Sequence, residues 1–356
     1  MNLPSRYKLL TKGVMSGGFG SITPLEDTYL RRVVLLKAMQ DNKNNNQLLN
    51  EIQGLCEARS LHVVEIYDIV KNEKGAVQGV IIERLRGRDF VNFHLEAESQ
   101  PAIFLKILYQ IATALRDLHA AGIVHRDLKL DNFKESYSGV IKLFDFGISS
   151  PDNGYQTKEN KGTIEYAAPE LYQANAIITP AMDIYAFGVC AWALCCPRIP
   201  NELKERPPQQ SSRCPSIGSI SFFKLEPKLV EIIDACLDPD PKGRPSAAAL
   251  SRVLGENIVR GQHKGLFVQE NHKVVELSAA QPNVALKIGT LGEIVVKYNG
   301  LNFKIAAVVG AVRINNQTAA VGDILHKSCL LTFGDISLGS GQQWVTFSSS
   351  QPEVIL

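Results

Sequence analysis

A short polar cluster lies between apolar residues in the stretch IVHRDLKLDNF, residues 123–133. Asp127, Lys129 and Asn132 would be costly to place beside Ile, Val, Leu and Phe unless each is paired. A carboxylate, an amine and an amide can accept a proton, attract an anion and coordinate a cation. The cluster therefore predicts a functional site, and the rest of the chain must indicate its chemistry.

A glycine-rich turn and a strand-end lysine add groups suited to phosphate. In VMSGGFGSI, residues 14–22, Gly17, Gly18 and Gly20 lie between two predicted strands. Glycine lets backbone N–H groups approach phosphate oxygens without a Cβ clash. The run VVLLK then ends on Lys37, a cation that fits against phosphates. Taken alone, a ligand-free hairpin and a solvated lysine remain the commoner interpretations.

Two carboxylates complete the polar set. Glu51 shares a predicted helix face with Ile52 and Leu55, where an ion pair could fix Lys37, although isolated helix glutamates mostly face solvent. Asp145 ends the β-like run of KLFDFG, immediately before a glycine hinge, where its oxygens could hold Mg²⁺.

The elements that must position these residues fall into three segments. Residues 8–90 combine short β-branched runs with one helix that follows the Asn-rich patch at 42–46, and helices predominate from 101 to 258. These segments predict a β-rich small lobe and a helical large lobe around a cleft. After residue 262, strand-like runs separated by glycine breakers predict an all-β sandwich or barrel of about 90 residues.

In this order the features resemble the signature of the eukaryotic-like (Hanks-type) Ser/Thr protein kinase family. HRD at 125–127 with Asn132 five residues on, DFG at 145–147 and APE at 168–170 match that signature letter for letter. The resemblance implies an α+β, bilobal protein kinase domain over 8–258. A linker at 259–264 and a β-rich domain at 265–356 would follow.

The resemblance implies ATP-dependent transfer of a γ-phosphate to protein Ser or Thr hydroxyls. Asp127 would accept or orient the hydroxyl proton, Lys129 would steady the γ-phosphate, and Lys37, held by Glu51, would bind the α- and β-phosphates. Ile82 would guard the back of the adenine pocket. Asn132 and Asp145 would coordinate Mg²⁺. The implied nucleotide site comprises Val14, Gly17, Gly18, Gly20, Ile22, Lys37, Glu83, Leu85, Asn132 and Asp145, with Glu83 and Leu85 as the hinge.

Further matches imply a protein acceptor. Lys129 follows Asp127 at the spacing of Ser/Thr kinases, and Thr163 would hydrogen-bond toward both residues. Glu170 would pair with Arg244, an arrangement that small-molecule kinases of related fold generally lack; two unrelated surface charges are the alternative. Asp183 would anchor the catalytic loop backbone from a helix.

Regulation is predicted in the activation segment, residues 145–170. An arginine such as Arg126, before the catalytic Asp, commonly meets a phosphate on this segment in such kinases. The candidate acceptors are Ser149, Ser150, Thr157 and Thr163. We expect autophosphorylation in this window, with Thr157 as the favoured residue.

Two residues depart from the family pattern. Met15 replaces the first glycine of the loop, and Leu35 replaces the small residue usually found two positions before Lys37. Overpacking against the adenine typically costs about 1–3 kcal/mol, so we expect modest nucleotide affinity. A pseudokinase scaffold that binds protein partners is the alternative function, although every residue that the chemistry needs is retained.

The β-rich segment resembles, faintly, the second half of a forkhead-associated domain, which reads phosphothreonine. Asn315-Asn316 and Gly334-Asp335 match its turns, but the Gly-Arg and Ser-x-x-His elements that hold the phosphate are lacking. A sandwich for docking or autoregulation, without phosphate recognition, is the alternative. His272 and His326 are interpreted as ordinary residues rather than ligands.

Global properties narrow the function classes. The 356 residues are 45% hydrophobic and 21% charged, and the net charge of +2 gives no strong field for nucleic acid or membrane. The basic residues of 198–213 form a solvated loop or a patch for acidic substrates. Seven cysteines without a disulfide framework, and no signal peptide, predict a cytoplasmic protein. Cys195-Cys196 are interpreted as buried thiols, with a redox role as the alternative.

Overall fold

The computed structural model describes most of the chain in two compact units. One unit ends at Leu254, and the other is Gly255–Ile355. The predicted limits of the domains and the linker stay predictions. The described residues are 3–10, 15–17, 20–38, 52–53, 55–56, 58–136, 138–144, 164–173, 176–220, 224–270 and 272–355.

The small lobe is an antiparallel sheet with a different core on each face. Its strands are β1 (Tyr7–Leu9), β2 (Met15–Gly17), β3 (Gly20–Asp27), β4 (Arg32–Ala38), β5 (Ile66–Lys71) and β6 (Val77–Glu83). Their order is β1-β3-β4-β6-β5, with β2 paired to β3. Side chains alternate between the faces of a strand, so Val34 and Leu36 of β4 pack into the outer core. Leu35 packs against the larger core that continues into the helical lobe.

The large lobe is helical, with one short hairpin that precedes residue 145. Its helices are α1 (His94–Ala97), α2 (Pro101–Ala120), α3 (Pro180–Cys195), α4 (Asn201–Lys204), α5 (Pro227–Cys236) and α6 (Ala247–Ile258), and its hairpin is β7 (Phe133–Glu135) with β8 (Ile141–Leu143). Proline begins α2, α3 and α5, where its missing N–H costs no helical hydrogen bond. Helix α3 is apolar and buried around almost its whole circumference, so it forms the centre of this lobe. The predicted α+β body of two lobes is confirmed.

The described cysteines are all free thiols. Cys195 is buried at the end of α3, whereas Cys196 is only partly buried. None of the helices within the described ranges has the length and apolar character that crossing a membrane requires.

Beyond the last turn of α6, the second unit is a β structure, as expected. Its strands are β9 (Gly265–Gln269), β10 (Val274–Leu277), β11 (Asn283–Ile288), β12 (Gly292–Tyr298), β13 (Phe303–Gly310), β14 (Val312–Ile314), β15 (Gln317–Thr318), β16 (Ser328–Phe333) and β17 (Gln343–Ser349). One sheet has the order β10-β9-β17-β16-β14-β15, and the other is β11-β12-β13. Phe267 and Phe347 of the first sheet and Ile294 and Phe303 of the second belong to one apolar core. The resemblance to a forkhead-associated domain stays a prediction.

A buried carboxylate fastens the N-terminal segment to the small-lobe sheet. Asp27, at the end of β3, is fully buried and accepts two hydrogen bonds from Arg6, at 2.7 and 2.6 Å. Arg32 Nε lies 3.4 Å from the same carboxylate, and its guanidinium stacks 3.6 Å above the Tyr67 ring. The hydrogen bonds from Arg6 hold the pKa of Asp27 well below its usual range.

We expect Asp27→Asn to lower the melting temperature of the first unit at neutral pH, because the two arginines would lose their buried counter-charge. A depressed pKa in the folded state stabilises above the unfolded pKa, and this contribution disappears as the pH falls. The difference between wild type and variant should therefore stay constant from neutral pH down to about pH 5 and shrink steadily below about pH 4, measured by thermal melts. Glu26→Gln, an exposed neighbour on β3, is the control. Equal melting temperatures for the two variants at neutral pH would contradict the assignment.

Candidate active site

The catalytic loop is held by a single carboxylate from the central helix of the large lobe. Asp183, in the first turn of α3, is buried and accepts hydrogen bonds from the backbone N–H groups of His125 and Arg126, at 2.8 and 2.9 Å. Its Oδ2 also lies 2.9 Å from Nε2 of His119. Arg126 has a φ of +73°, a left-handed conformation that costs energy for a side chain with a Cβ. The two hydrogen bonds to Asp183 stabilise this turn.

The loop brings Asp127, Lys129 and Asn132 together. Lys129 Nζ lies 2.9 Å from Asp127 Oδ2. The Asn132 amide donates to the Asp127 backbone carbonyl at 2.7 Å and to Asp127 Oδ2 at 3.1 Å. The other carboxylate oxygen, Asp127 Oδ1, is buried and accepts no hydrogen bond from any described residue. A buried oxygen in this state is suited to an incoming donor such as a hydroxyl group.

The hairpin of β7 and β8 fixes the backbone next to residue 145. Phe144 donates its backbone N–H to the Asn132 carbonyl at 3.0 Å, and its own carbonyl lies 3.2 Å from His125 Nε2. Asp145 itself is outside the described residues. The chain is therefore directed from β8 back to the catalytic loop, one residue before the predicted metal ligand.

The donor chemistry of the described residues fits a hard cation such as Mg²⁺. Because the Asn132 nitrogen is turned to Asp127, the amide oxygen is left as the group that can serve as an oxygen ligand. In the ranges that the structure covers, no cluster of three or more His, Cys, Asp or Glu side chains could hold a metal ion by itself. A magnesium site here would need Asn132 together with Asp145.

On the small lobe, Lys37 is buried near the end of β4, directly across from Ile22 of β3 and Val80 of β6. Leu35 lies opposite Ile82, so the two residues predicted to bound the adenine pocket are neighbours in the sheet. Gly79 permits the close approach of β6, since a Cβ there would lie 2.7 Å from the Lys37 carbonyl oxygen.

The glycine-rich turn is described only in part. The backbones of Gly17 and Gly20 pair across β2 and β3. The remaining predicted residues of this site lie outside the described part of the chain: Val14, Gly18, Glu51, Ser149, Ser150, Thr157 and Thr163.

Glu83, a predicted hinge residue, ends β6, and Leu85 follows two residues later. The Glu83 backbone N–H donates to the Glu65 carbonyl at 2.9 Å. Its carboxylate lies 2.6 Å from Nζ of Lys142, on β8. Sequence reasoning missed Lys142, and the only available signal was a lysine inside the otherwise apolar run VIKLF.

Glu170 and Arg244 form an ion pair. The guanidinium donates two hydrogen bonds to the carboxylate, each 2.7 Å long. It also donates to the backbone carbonyls of Asp238, Ala181 and Pro239, at 2.7, 2.9 and 3.3 Å. The segment that ends at Glu170 is thereby bound to α3 and to the turn before α6.

Comparisons with known proteins indicate the family of the chain. A family model described as "Protein kinase domain" matches residues 11–253. The chain is 30% identical over 207 residues to a probable serine/threonine-protein kinase, PknB, of Lactococcus lactis, which covers 55% of this chain and 32% of that protein. It is 28% identical to the serine/threonine-protein kinase PrkC of Bacillus subtilis, over 56% of this chain and 31% of PrkC. A Corynebacterium efficiens protein named serine/threonine-protein kinases drp72 is 25% identical over 78% of this chain and 55% of its own length. The matches to PknB and PrkC thus span about a third of those two proteins.

Proposed function

The chain belongs to the protein kinase family, and we propose on that premise that it transfers the γ-phosphate of ATP to Ser or Thr hydroxyls of proteins. The single observation that carries this proposal is the state of Asp127. One of its oxygens is bound by Lys129 and Asn132, while the other is buried without a donor among the described residues. The hydroxyl of an acceptor protein would fill that position.

The residues of the loop divide the work of phosphoryl transfer, in which positioning and charge neutralisation matter most. Asp127 orients the acceptor hydroxyl and takes its proton as the hydroxyl oxygen bonds to the γ-phosphorus of ATP, while the bond from that phosphorus to ADP breaks and ADP leaves. Lys129, already beside Asp127, attracts the γ-phosphate to the same place. Mg²⁺, bound by Asn132 and Asp145, would neutralise the charge of the nucleotide phosphates.

The small lobe would hold the rest of the nucleotide. Lys37, fixed by Glu51, binds the α- and β-phosphates, and the backbone N–H groups around Gly17 and Gly20 cover them. The main chain of Glu83 and Leu85 binds the adenine. Val14 and Ile22 enclose the base. Leu35, which lies opposite Ile82 in the sheet, would crowd the base, and we therefore expect modest nucleotide affinity.

A protein acceptor is supported by the Glu170–Arg244 pair. This pair anchors the end of the activation segment to the large lobe, beside the catalytic loop that α3 holds through Asp183. A segment fixed at this end can present an extended peptide to Asp127. Thr163 would order the acceptor site, and Thr157 would accept phosphate from a second copy of the chain.

The test is phosphate transfer by the recombinant chain from γ-labelled ATP, with magnesium, to a generic basic protein. We expect label on Ser and Thr residues, its loss when EDTA removes magnesium, and phosphate between 145 and 170 by mass spectrometry, first on Thr157. Nucleotide binding without transfer to the basic protein or to the chain itself would contradict the proposal and favour a scaffold.

A further inference from the structure

A buried lysine on the strand that leads into residue 145 has two carboxylate partners. The side chain of Lys142 is 9% exposed, and its Nζ lies 2.6 Å from Glu83 Oε2 and 3.5 Å from Glu65 Oε1. An ammonium group is costly to bury unless it is paired, and the short contact with Glu83 supplies that pairing. The position of this ion pair, rather than its mere presence, indicates a role.

The ion pair joins β8 to the segment that connects the two lobes. Glu83 is the last residue of β6 and the first residue of the predicted hinge, and its side chain is 20% exposed. Its backbone N–H is bound to the carbonyl of Glu65, the residue before β5. Lys142 therefore binds the side chain of Glu83, whose backbone N–H is already bound to Glu65.

Strand β8 is itself firmly held, so it can serve as a support. The backbone N–H of Val64 donates to the Leu143 carbonyl at 2.9 Å, and the N–H of Leu143 donates to the His62 carbonyl at 2.9 Å. The ring of His62 is buried, and its Nδ1 lies 3.0 Å from the Ile141 carbonyl. Two residues of β8, Ile141 and Leu143, are thus bound to the segment before β5. Because β8 is held in this way, a side chain on β8 can fix the hinge residue that it contacts.

We propose that Lys142 is a positioning residue for nucleotide binding: from β8 it fixes Glu83, and with it the hinge backbone that would bind adenine. Lys142 touches neither substrate in this role and acts through Glu83. Without the lysine, the carboxylates of Glu83 and Glu65 would face each other without a cation between them, and the partly buried Glu83 side chain would turn toward water. The hinge backbone would then lose its fixed geometry.

The inference rests on the proposed kinase function. Loss of a positioning contact has a defined effect on the kinetic constants. It weakens nucleotide binding in the ground state and the transition state alike, so KM for ATP rises while kcat changes little. We expect Lys142→Met to raise KM for ATP, and the dissociation constant for Mg-ADP, by about tenfold. Lys142→Arg, which keeps the charge, should restore most of the affinity.

The matched control is Lys134→Met. Lys134 lies directly opposite Lys142 in the β7–β8 hairpin and is partly buried. It has no contact with Glu83, so its KM for ATP should stay near that of the wild type.

Glu83→Gln gives a second route to the same result, because it removes the partner charge and leaves the size of the side chain. It should raise KM as Lys142→Met does, and the double variant should be no weaker than either single variant. This variant also tests the inference if Lys142→Met fails to fold, as judged by circular dichroism.

An unchanged dissociation constant for Mg-ADP in the folded variants, or a loss confined to kcat, would overturn the inference. Because Mg-ADP binding is measured without turnover, a wild-type chain that binds nucleotide but transfers no phosphate would contradict the kinase proposal alone.

Discussion

Asp127→Asn should reduce kcat for phosphate transfer by about 10³-fold, within the range that a positioned general base contributes. The asparagine side chain can still accept the hydrogen bond from Asn132, so the loop keeps its shape. The substitution removes the negative charge that pairs with Lys129 and the carboxylate oxygen that would take the hydroxyl proton. The buried Oδ1, which has no donor among the described residues, is the atom whose function is lost.

The measurement is steady-state incorporation of labelled phosphate into a basic protein, together with Mg-ADP binding. Binding should be retained, because Asp127 acts on the acceptor rather than on the adenine. Asp131→Asn is the charge-matched control, since Asp131 is exposed in the same short turn, Leu130–Asn132. This control should lose far less activity than Asp127→Asn. A rate for Asp127→Asn within tenfold of wild type would exclude Asp127 as the base.

The fold class and the members of the catalytic loop could be predicted from the sequence because both depend on local pattern. The polar cluster of Asp127, Lys129 and Asn132 stands out from its apolar neighbours, and all three side chains need only one turn of backbone to meet. The alternation in β4 similarly determines that Lys37 and Leu35 share a face. These relationships lie within about ten residues of chain, where geometry follows directly from secondary structure.

The long-range partners of buried charges could not be predicted in the same way. Lys142 and Glu83 are 59 residues apart. The apolar run VIKLF marks Lys142 as unusual, but nothing in the sequence identifies Glu83 as its partner. Their contact exists because the tertiary arrangement brings the side chain of Lys142 on β8 to the end of β6. The same holds for Asp183 with His119, and for Asp27 with Arg6.

Arg244→Ala should destabilise the first unit by about 3–5 kcal/mol, the usual cost of removing one partner from a buried ion pair. The Arg244 side chain is 0% exposed, and Glu170, whose side chain is 12% exposed in the intact pair, would lose its counter-charge. The carbonyls of Asp238, Ala181 and Pro239 would also lose a donor. The free energy of unfolding should be measured by urea titration. The recorded signal should come from a probe in the first unit, so that unfolding of the second unit does not contribute to it.

Arg213→Ala is the control variant, because it removes an exposed arginine of an ion pair instead of a buried one. Arg213 also contacts a carboxylate, Asp238, at 3.3 Å, but its side chain is 67% exposed. An exposed pair contributes about 0–1 kcal/mol, so this variant should remain close to wild type. Equal losses for Arg244→Ala and Arg213→Ala would show that burial of the first pair has no energetic consequence.

The double variant Arg244→Met/Glu170→Met distinguishes two reasons for the presence of this pair. If the pair mainly stabilises the fold, the double variant should be as unstable as Arg244→Ala. Replacement of a buried ion pair by apolar residues is often neutral, so we expect the double variant to recover a large part of the lost stability. Phosphate transfer should nevertheless stay low, because methionine side chains cannot fix the end of the activation segment through directed hydrogen bonds. Recovery of full transfer along with stability would mean that any packed contact at this position is sufficient, and that the directed geometry of the ion pair is not needed to present the acceptor.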